Sequence, residues 1–326
     1  MKKFIVLVAA VCMAYTATFA QTVKPFKEGE RAVFLGNSIT DGGHYHSYIW
    51  LYYMTRLPNM PIRIFNGGIG GDTAFDMNKR LDADIFAMQP SVLMVTFGMN
   101  DSGYFEYNGD KAKEFGEEKY QESIKNYQQM EKRFKELPKT RIVMLGTSPY
   151  DETVQLKEGN LFKTKNETIK RIVEYQKESA AKNGWEFSDL NAPMVALNQQ
   201  FQQKDPAFTL CGSDRIHPDN DGHMVMAYLF LKAQGFVGKD VANMEINANK
   251  KEAVKAENCT VSNIKKIGNE LSFDYLAEAL PYPLDTIARG WGQKKSQAEV
   301  TKVVPFMEDM NREMLKVSGL KGNYLS

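Results

Sequence analysis

Arg31-Ala-Val-Phe-Leu35 is a short apolar run that ends abruptly at Gly36, with Asn37 and Ser38 behind it. The pattern returns along the chain. Ile62-Arg-Ile-Phe65 ends at Asn66-Gly67-Gly68, and Ser91-Val-Leu-Met-Val-Thr-Phe97 ends at Gly98. Arg141-Ile-Val-Met-Leu145 and Trp185-Glu-Phe-Ser-Asp-Leu190 follow at wider spacing. A short apolar run closed by turn residues reads as a β-strand, and near-continuous apolar character places it in the buried interior of a sheet. Amphipathic stretches at residues 47–57, 73–88, 117–137, 166–182 and 221–233 carry helical spacing between and after these runs. Alternating strands and helices predict an α/β fold with a central parallel sheet covered on both faces. In such sheets, sites form at the carboxyl ends of the strands.

Outward from this core, the rhythm changes after Gly235. Residues 258–265, a turn at Gly268-Asn269 and residues 270–275 predict a β-hairpin. Residues 279–285 read as a loop and residues 297–315 as helical around a break at Pro305. From Leu315 the chain reads as a strand, a turn and an unfinished strand, so the natural protein is expected to continue past Ser326. At the other end, Lys2 and Lys3 precede an apolar segment, and Thr18-Phe19-Ala20 supplies small residues before Gln21. That is the pattern of a secretory signal peptide over residues 1–20 and predicts a periplasmic or extracellular protein. Val11 before Cys12 argues against a lipidated cysteine. The expected organisation is a leader at 1–20, a main domain at 21–236 and a C-terminal extension at 237–326.

The 326 residues carry 41 basic and 40 acidic side chains, which gives no basic excess for nucleic acid. Hydrophobic content of 43% and charged content of 25% suit a packed globular chain. No apolar run is long enough to span a membrane. Past the leader only Cys211 and Cys259 remain, too few for a disulfide scaffold. One bridge between them is allowed, and two buried thiols are the expectation.

Each of the first three strands delivers polar or Gly-rich residues just past its carboxyl end. The first gives Gly36-Asn37-Ser38-Ile39, the second Asn66-Gly-Gly-Ile-Gly-Gly71-Asp72, the third Gly98-Met99-Asn100-Asp101. Far downstream comes Asp214-Arg215-Ile216-His217.

In their order, these four blocks resemble the SGNH (GDSL) hydrolase family of serine esterases, lipases and acylhydrolases, over roughly residues 31–235. The resemblance implies a flavodoxin-like three-layer α/β/α sandwich. It implies Ser38 as nucleophile, Asp214 and His217 as the rest of a triad, and an oxyanion hole from Ser38, Gly71 and Asn100. Asn37 and Ile39 depart from the family's name motif, which has Asp and Leu there, but every assigned residue is in place. The chemistry needs these types. A Ser hydroxyl is a weak nucleophile without a base in reach. An Asp three residues before the His lets one turn carry both base and orienter. A Gly leaves its N–H open to close approach. No metal or organic cofactor is implied.

Each block has a blander reading. Ser38 alone would serve as a helix cap, and Asn100-Asp101 alone as a turn. Gly67 to Gly71 lacks the Gly-Lys-Ser/Thr of a Walker loop. No G-x-S-x-G elbow surrounds Ser38. Asp41-Gly-Gly-His44 repeats Asp-x-x-His as a decoy and could form a substrate rim. A metalloenzyme using Asp41, His44, His46, Asp214, His217 or His223 is the rival chemistry, with His223 structural or exposed in the favoured reading. Tyr45, Tyr48, Trp50, Tyr52 and Tyr53 read as helix core. The favoured function is an exported serine esterase working through an acyl-Ser38 intermediate. Its expected substrate is a small-molecule or glycan ester, with acetylated carbohydrate preferred. The alternatives are a lysophospholipase- or lipase-type acylhydrolase and a non-catalytic carbohydrate-binding surface protein.

Overall fold

The five apolar runs become five strands: β1 (Arg31–Gly36), β2 (Arg63–Gly68), β3 (Val92–Val95), β4 (Arg141–Gly146) and β5 (Glu186–Asp189). A computed structural model describes residues 22–157, 159–290 and 292–320, so the leader expected at 1–20 and the strand expected at the very end lie outside the described residues. All four strand pairings in this sheet are parallel, in the order β2-β1-β3-β4-β5. This is the flavodoxin-like order, and its topological switch point lies between β1 and β3, where a crevice opens beyond the strand ends. Ser38 follows β1 and Asn100 follows β3, so the topology alone puts both beside that crevice.

The helices are α1 (Ser38–Asp41), α2 (Tyr45–Arg56), α3 (Ala74–Arg80), α4 (Ala112–Lys135), α5 (Lys165–Asn183), α6 (Asn191–Gln202), α7 (Asn220–Ala233) and the short α8 (Phe306–Met310). Successive strand residues point to opposite faces. Ala32, Phe34, Met94, Val143 and Leu145 therefore pack with Ile49, Tyr52 and Tyr53 of α2 and with Met224, Ala227 and Phe230 of α7. Val33, Leu35, Leu93, Val95 and Met144 pack with Met77 of α3 and with Tyr127, Met130 and Phe134 of α4. Three layers result. Four of the five aromatics of α2 are core as expected; Trp50 is 38% exposed, on the opposite side of the helix.

Residues 73–88 are not one α-helix. Thr73 caps α3 through a capping box with Asp76. The coil then widens into a π turn at Leu81–Ile85, whose two end residues are fully buried, and tightens into a 3-10 turn at Phe86–Met88.

Five C-terminal strands follow: β6 (Ala242–Asn247), β7 (Glu252–Glu257), β8 (Cys259–Ile267), β9 (Glu270–Ala277) and β10 (Glu313–Ser318). The hairpin is β8 with β9, and the other three form a small sheet in the order β10-β6-β7. Residues 297–315 contain a 3-10 segment (Gln297–Lys302), then α8, then β10, rather than a broken helix. Pro305 lacks a donor N–H and has a fixed φ, so it divides the two short coils. Tyr282, Val300, Val304, Phe306 and Met310 join the core that contains α2 and α7. This part of the C-terminal segment is thus built onto the sandwich, while Ala242, Met244 and Cys259 form a small core of their own. Cys211 and Cys259 are both buried and unpaired. No helix among the described residues is long and apolar enough to cross a membrane.

Candidate active site

At the end of β1 the chain folds straight into α1. Asn37 is the cap: its side-chain oxygen accepts from Ile39 N at 3.1 Å. Ser38 is therefore the first residue of α1 rather than its cap. The end of β2 lies against the same turn. A Cβ on Gly68 would sit 2.2 Å from Asp41 N, so only glycine permits this approach. Asn66 Nδ2 donates to Asp41 O at 2.9 Å and Gly70 N donates to Asp41 Oδ2 at 3.2 Å, which binds the β2 loop to the Ser38 turn.

Gly71 takes φ +85°, a left-handed conformation that suits glycine. The next residue, Asp72, is fixed by Arg80, whose Nε donates to Asp72 Oδ2 at 2.6 Å. Burial pushes the Asp72 carboxyl upward while the Arg80 guanidinium pulls it back. Asp72 O in turn accepts from Asn100 Nδ2 at 2.9 Å. A carbonyl only accepts, so the Asn100 amide is oriented with nitrogen toward Asp72 and oxygen toward Tyr104 OH, which donates to it. One N–H of Asn100 stays available. Asp101, beside it, is the scaffold of the turn: its carboxylate accepts from Gly98 N at 2.9 Å and Ala74 N at 2.8 Å.

The downstream block comes from the loop between α6 and α7. Asp214 Oδ1 accepts from Ile216 N and His217 N, each at 2.9 Å. Its other oxygen lies 2.6 Å from His217 Nδ1, and His217 Nε2 lies 2.8 Å from Ser38 Oγ. Burial pushes the Asp214 carboxyl upward, but the hydrogen bonds from the His217 ring and from the backbone outweigh it and hold the group below its ordinary value. An ionised Asp214 only accepts, so the imidazole proton sits on Nδ1 and Nε2 faces Ser38 as an acceptor. Arg215 braces the loop from below. It is buried at φ +68°, and its guanidinium donates to Asp151 O at 3.2 Å and Val154 O at 2.7 Å.

Ser38, Asp214 and His217 line a cavity of about 680 Å³. Asp41, Gly42 and His44 of the decoy block form part of its rim, as do Gly290, Gly292, Gln293 and Lys294 from the C-terminal segment. That segment is anchored by Asp219, whose carboxylate accepts from Lys294 N at 3.0 Å and Lys295 N at 3.1 Å. Lys295 Nζ adds a 2.9 Å ion pair to the buried Asp221. The triad is thus in direct contact. Gly71 and Asn100 are linked to it through Asp72 and the Gly70–Asp41 bond.

The remaining histidines do not converge as ligands. His46 Nε2 meets Thr40 O at 3.2 Å, and burial lowers its pKa to about 4. His223 is buried rather than exposed, its ring 4.9 Å from that of His44, and burial keeps it neutral. Among the described residues no group of three or more His, Cys, Asp or Glu side chains is placed to hold a metal ion. The bracing residues Arg80 and Arg215 escape sequence reading, since a lone charged side chain reads as solvated.

The sequence profile of the GDSL-like Lipase/Acylhydrolase family matches residues 34–225. An acetylxylan esterase from Geobacillus stearothermophilus is 27% identical over 224 residues, which cover 64% of this chain and 95% of that protein. A solved structure described as a gut microbial diltiazem-metabolizing enzyme is 84% identical, with a TM-score of 0.90 over 93% of this chain and 68% of its own. A catalytic mutant of the Geobacillus stearothermophilus acetylxylan esterase superposes with a TM-score of 0.50 at 24% identity, over 65% of this chain and 96% of its own. At that identity it speaks for the fold alone.

Proposed function

Because the chain belongs to the GDSL-like lipase/acylhydrolase family, we infer that Ser38 is the nucleophile of a carboxylic ester hydrolase, and we propose acetyl esters of carbohydrates or similarly compact alcohols as its substrates. The observation that carries the mechanism is the unbroken line from Asp214 Oδ2 to His217 Nδ1 at 2.6 Å and from His217 Nε2 to Ser38 Oγ at 2.8 Å. Ser38 Oγ attacks the ester carbonyl as its proton passes to His217 Nε2. The tetrahedral oxyanion accepts hydrogen bonds from the backbone N–H groups of Ser38 and Gly71 and from the Asn100 amide. The C–O bond to the alcohol then breaks, and the imidazolium returns its proton to the departing oxygen. Water repeats the sequence on the acyl-Ser38 ester and releases the carboxylic acid. Asp214 holds the tautomer and stabilises the imidazolium throughout.

Two similarities support an acetyl group. One relative is an acetylxylan esterase. The other metabolizes diltiazem, a drug that is itself an acetate ester. Asp41 and Lys294 bring charged side chains to a lining that also includes Ile39 and Pro218, and these two can meet the hydroxyls of a carbohydrate alcohol part. A series of 4-nitrophenyl esters of rising acyl length, run beside acetylated xylo-oligosaccharides, tests this. The kcat/KM is expected to be highest for acetyl and to fall steeply by octanoyl. Faster turnover of octanoyl esters or of a lysophospholipid would favour the lipase-type alternative.

The signal-peptide pattern of residues 1–20, Lys2 and Lys3 before an apolar run and Thr18-Phe19-Ala20 before Gln21, supports export. The mature protein recovered from outside the cytoplasm of an expressing bacterium is expected to begin at Gln21, as read by N-terminal mass spectrometry. An intact Met1 would overturn export by that leader.

A further inference from the structure

Lys165, the first residue of α5, is completely buried. Burial lowers the Lys165 pKa to about 7 against the upward pull of Asp101, so its charged form needs every donor engaged. Here all three are: Nζ donates to Met99 O at 2.7 Å, to Ser102 Oγ at 2.6 Å and to Gly103 O at 2.5 Å. The same nitrogen lies 3.9 Å from the ring centroid of Tyr104. All four contacts belong to one stretch, residues 99–104, and that stretch carries Asn100. The Lys165 side chain therefore ties this loop to the start of α5 in one conformation, with the Tyr150 ring farther off at 5.9 Å. Tyr104 completes the link, because its hydroxyl donates to Asn100 Oδ1. Burial first, and the negative charges of Asp214 and Asp101 after it, raise the Tyr104 pKa far above the neutral range, so the hydroxyl remains a donor. With Oδ1 held by Tyr104 and one N–H held by Asp72 O, the remaining N–H of Asn100 has a single fixed direction.

We propose that Lys165, acting through Tyr104, is a positioning residue that sets the Asn100 amide for the oxyanion. The inference rests on the reading of Asn100 as an oxyanion donor. A preorganised donor contributes to the transition state and little to ground-state binding, so its misplacement is read in kcat. A displacement of about 1 Å at a reacting centre can cost on the order of 10²-fold.

The test uses Lys165→Met, Tyr104→Phe and Asn100→Ala, singly and in pairs, with kcat and KM measured on 4-nitrophenyl acetate and folding checked by circular dichroism. Asn100→Ala is expected to lower kcat by about 10²- to 10³-fold. Lys165→Met is expected to lower kcat by tens of fold in the parent, with KM nearly unchanged. In the Asn100→Ala background the same substitution should have almost no further effect, because the group it positions is gone. A purely structural role would give the same loss in both backgrounds. Equal losses, a loss confined to KM, or a folded Lys165→Met enzyme at parental kcat would each overturn the proposal. If Lys165→Met does not fold, Tyr104→Phe decides alone, since it removes one oxygen and keeps the ring on the ammonium. Parental kcat in Tyr104→Phe overturns the proposal, and a loss absent from the Asn100→Ala background supports it. Parental kcat in Asn100→Ala would overturn the oxyanion reading itself.

Discussion

Replacing Ser38 by Ala is expected to reduce kcat for ester hydrolysis on the order of 10⁶-fold while leaving the fold intact. Triad members act as a unit, and loss of the nucleophile costs about as much as loss of the whole set. The structural cost is small for a local reason. Asn37, not Ser38, caps α1, so the helix start keeps its side-chain hydrogen bond from Ile39 N. The deleted oxygen has His217 Nε2 as its partner, and both groups face the cavity, where water can replace it. Thermal midpoints of parent and variant should therefore agree within a few degrees. A fluorophosphonate should label the parent at Ser38, read by peptide mass spectrometry, and leave the variant unlabelled. Parental turnover in the variant would show that the nucleophile lies elsewhere.

The site was legible where its chemistry follows directly on buried strands. β1, β3 and β4 lie inside the sheet and are covered on both faces, so they read as continuous apolar runs, and the polar residues just past them stand out. The short gap from Asp214 to His217 was legible because a single turn carries both. Other parts had no local signal. α1 is four residues long and shows no period. α6 has Pro193 in its first turn, which is tolerated there but reads as a break. β7 mixes Glu, Lys and Ala because it is an exposed edge strand, and β6, although it buries Ala242, Met244 and Ile246 in alternation, carries Asn and Glu between them. Lys165 reads as a solvated helix start, yet the carbonyl of Met99 that it engages is 66 residues away in sequence. Arg80 and Arg215 follow the same logic: their partners are largely backbone oxygens brought near by the fold. The cavity wall from Gly290, Gly292, Gln293 and Lys294 was hidden too, since its anchor is the carboxylate of Asp219, more than 70 residues earlier.

Asp214→Asn is expected to lower kcat on the order of 10⁴-fold, although Asn has nearly the same shape. Such a substitution acts by imposing the wrong tautomer on the base. The structure dictates which way the amide must lie. Asp214 Oδ1 accepts from both Ile216 N and His217 N, and in the variant only the amide oxygen can take that place. The amide nitrogen is then forced to face His217 Nδ1, which must accept from it. The imidazole proton moves to Nε2, where it points at Ser38 Oγ, and the base can no longer take the Ser38 proton. Loss of the nearby carboxylate also removes the charge that stabilises the imidazolium in the transition state. The measurement is kcat against pH for both proteins on the same acetate ester, with KM expected to change little. Retention of more than a tenth of the parental kcat would show that another group orients the base. Asp101 and Asp189, each near a strand end, are poorly placed for it. Asp101 holds Gly98 N and Ala74 N, and Asp189 holds Asn191 N and Ala192 N, so each is already committed to its own turn.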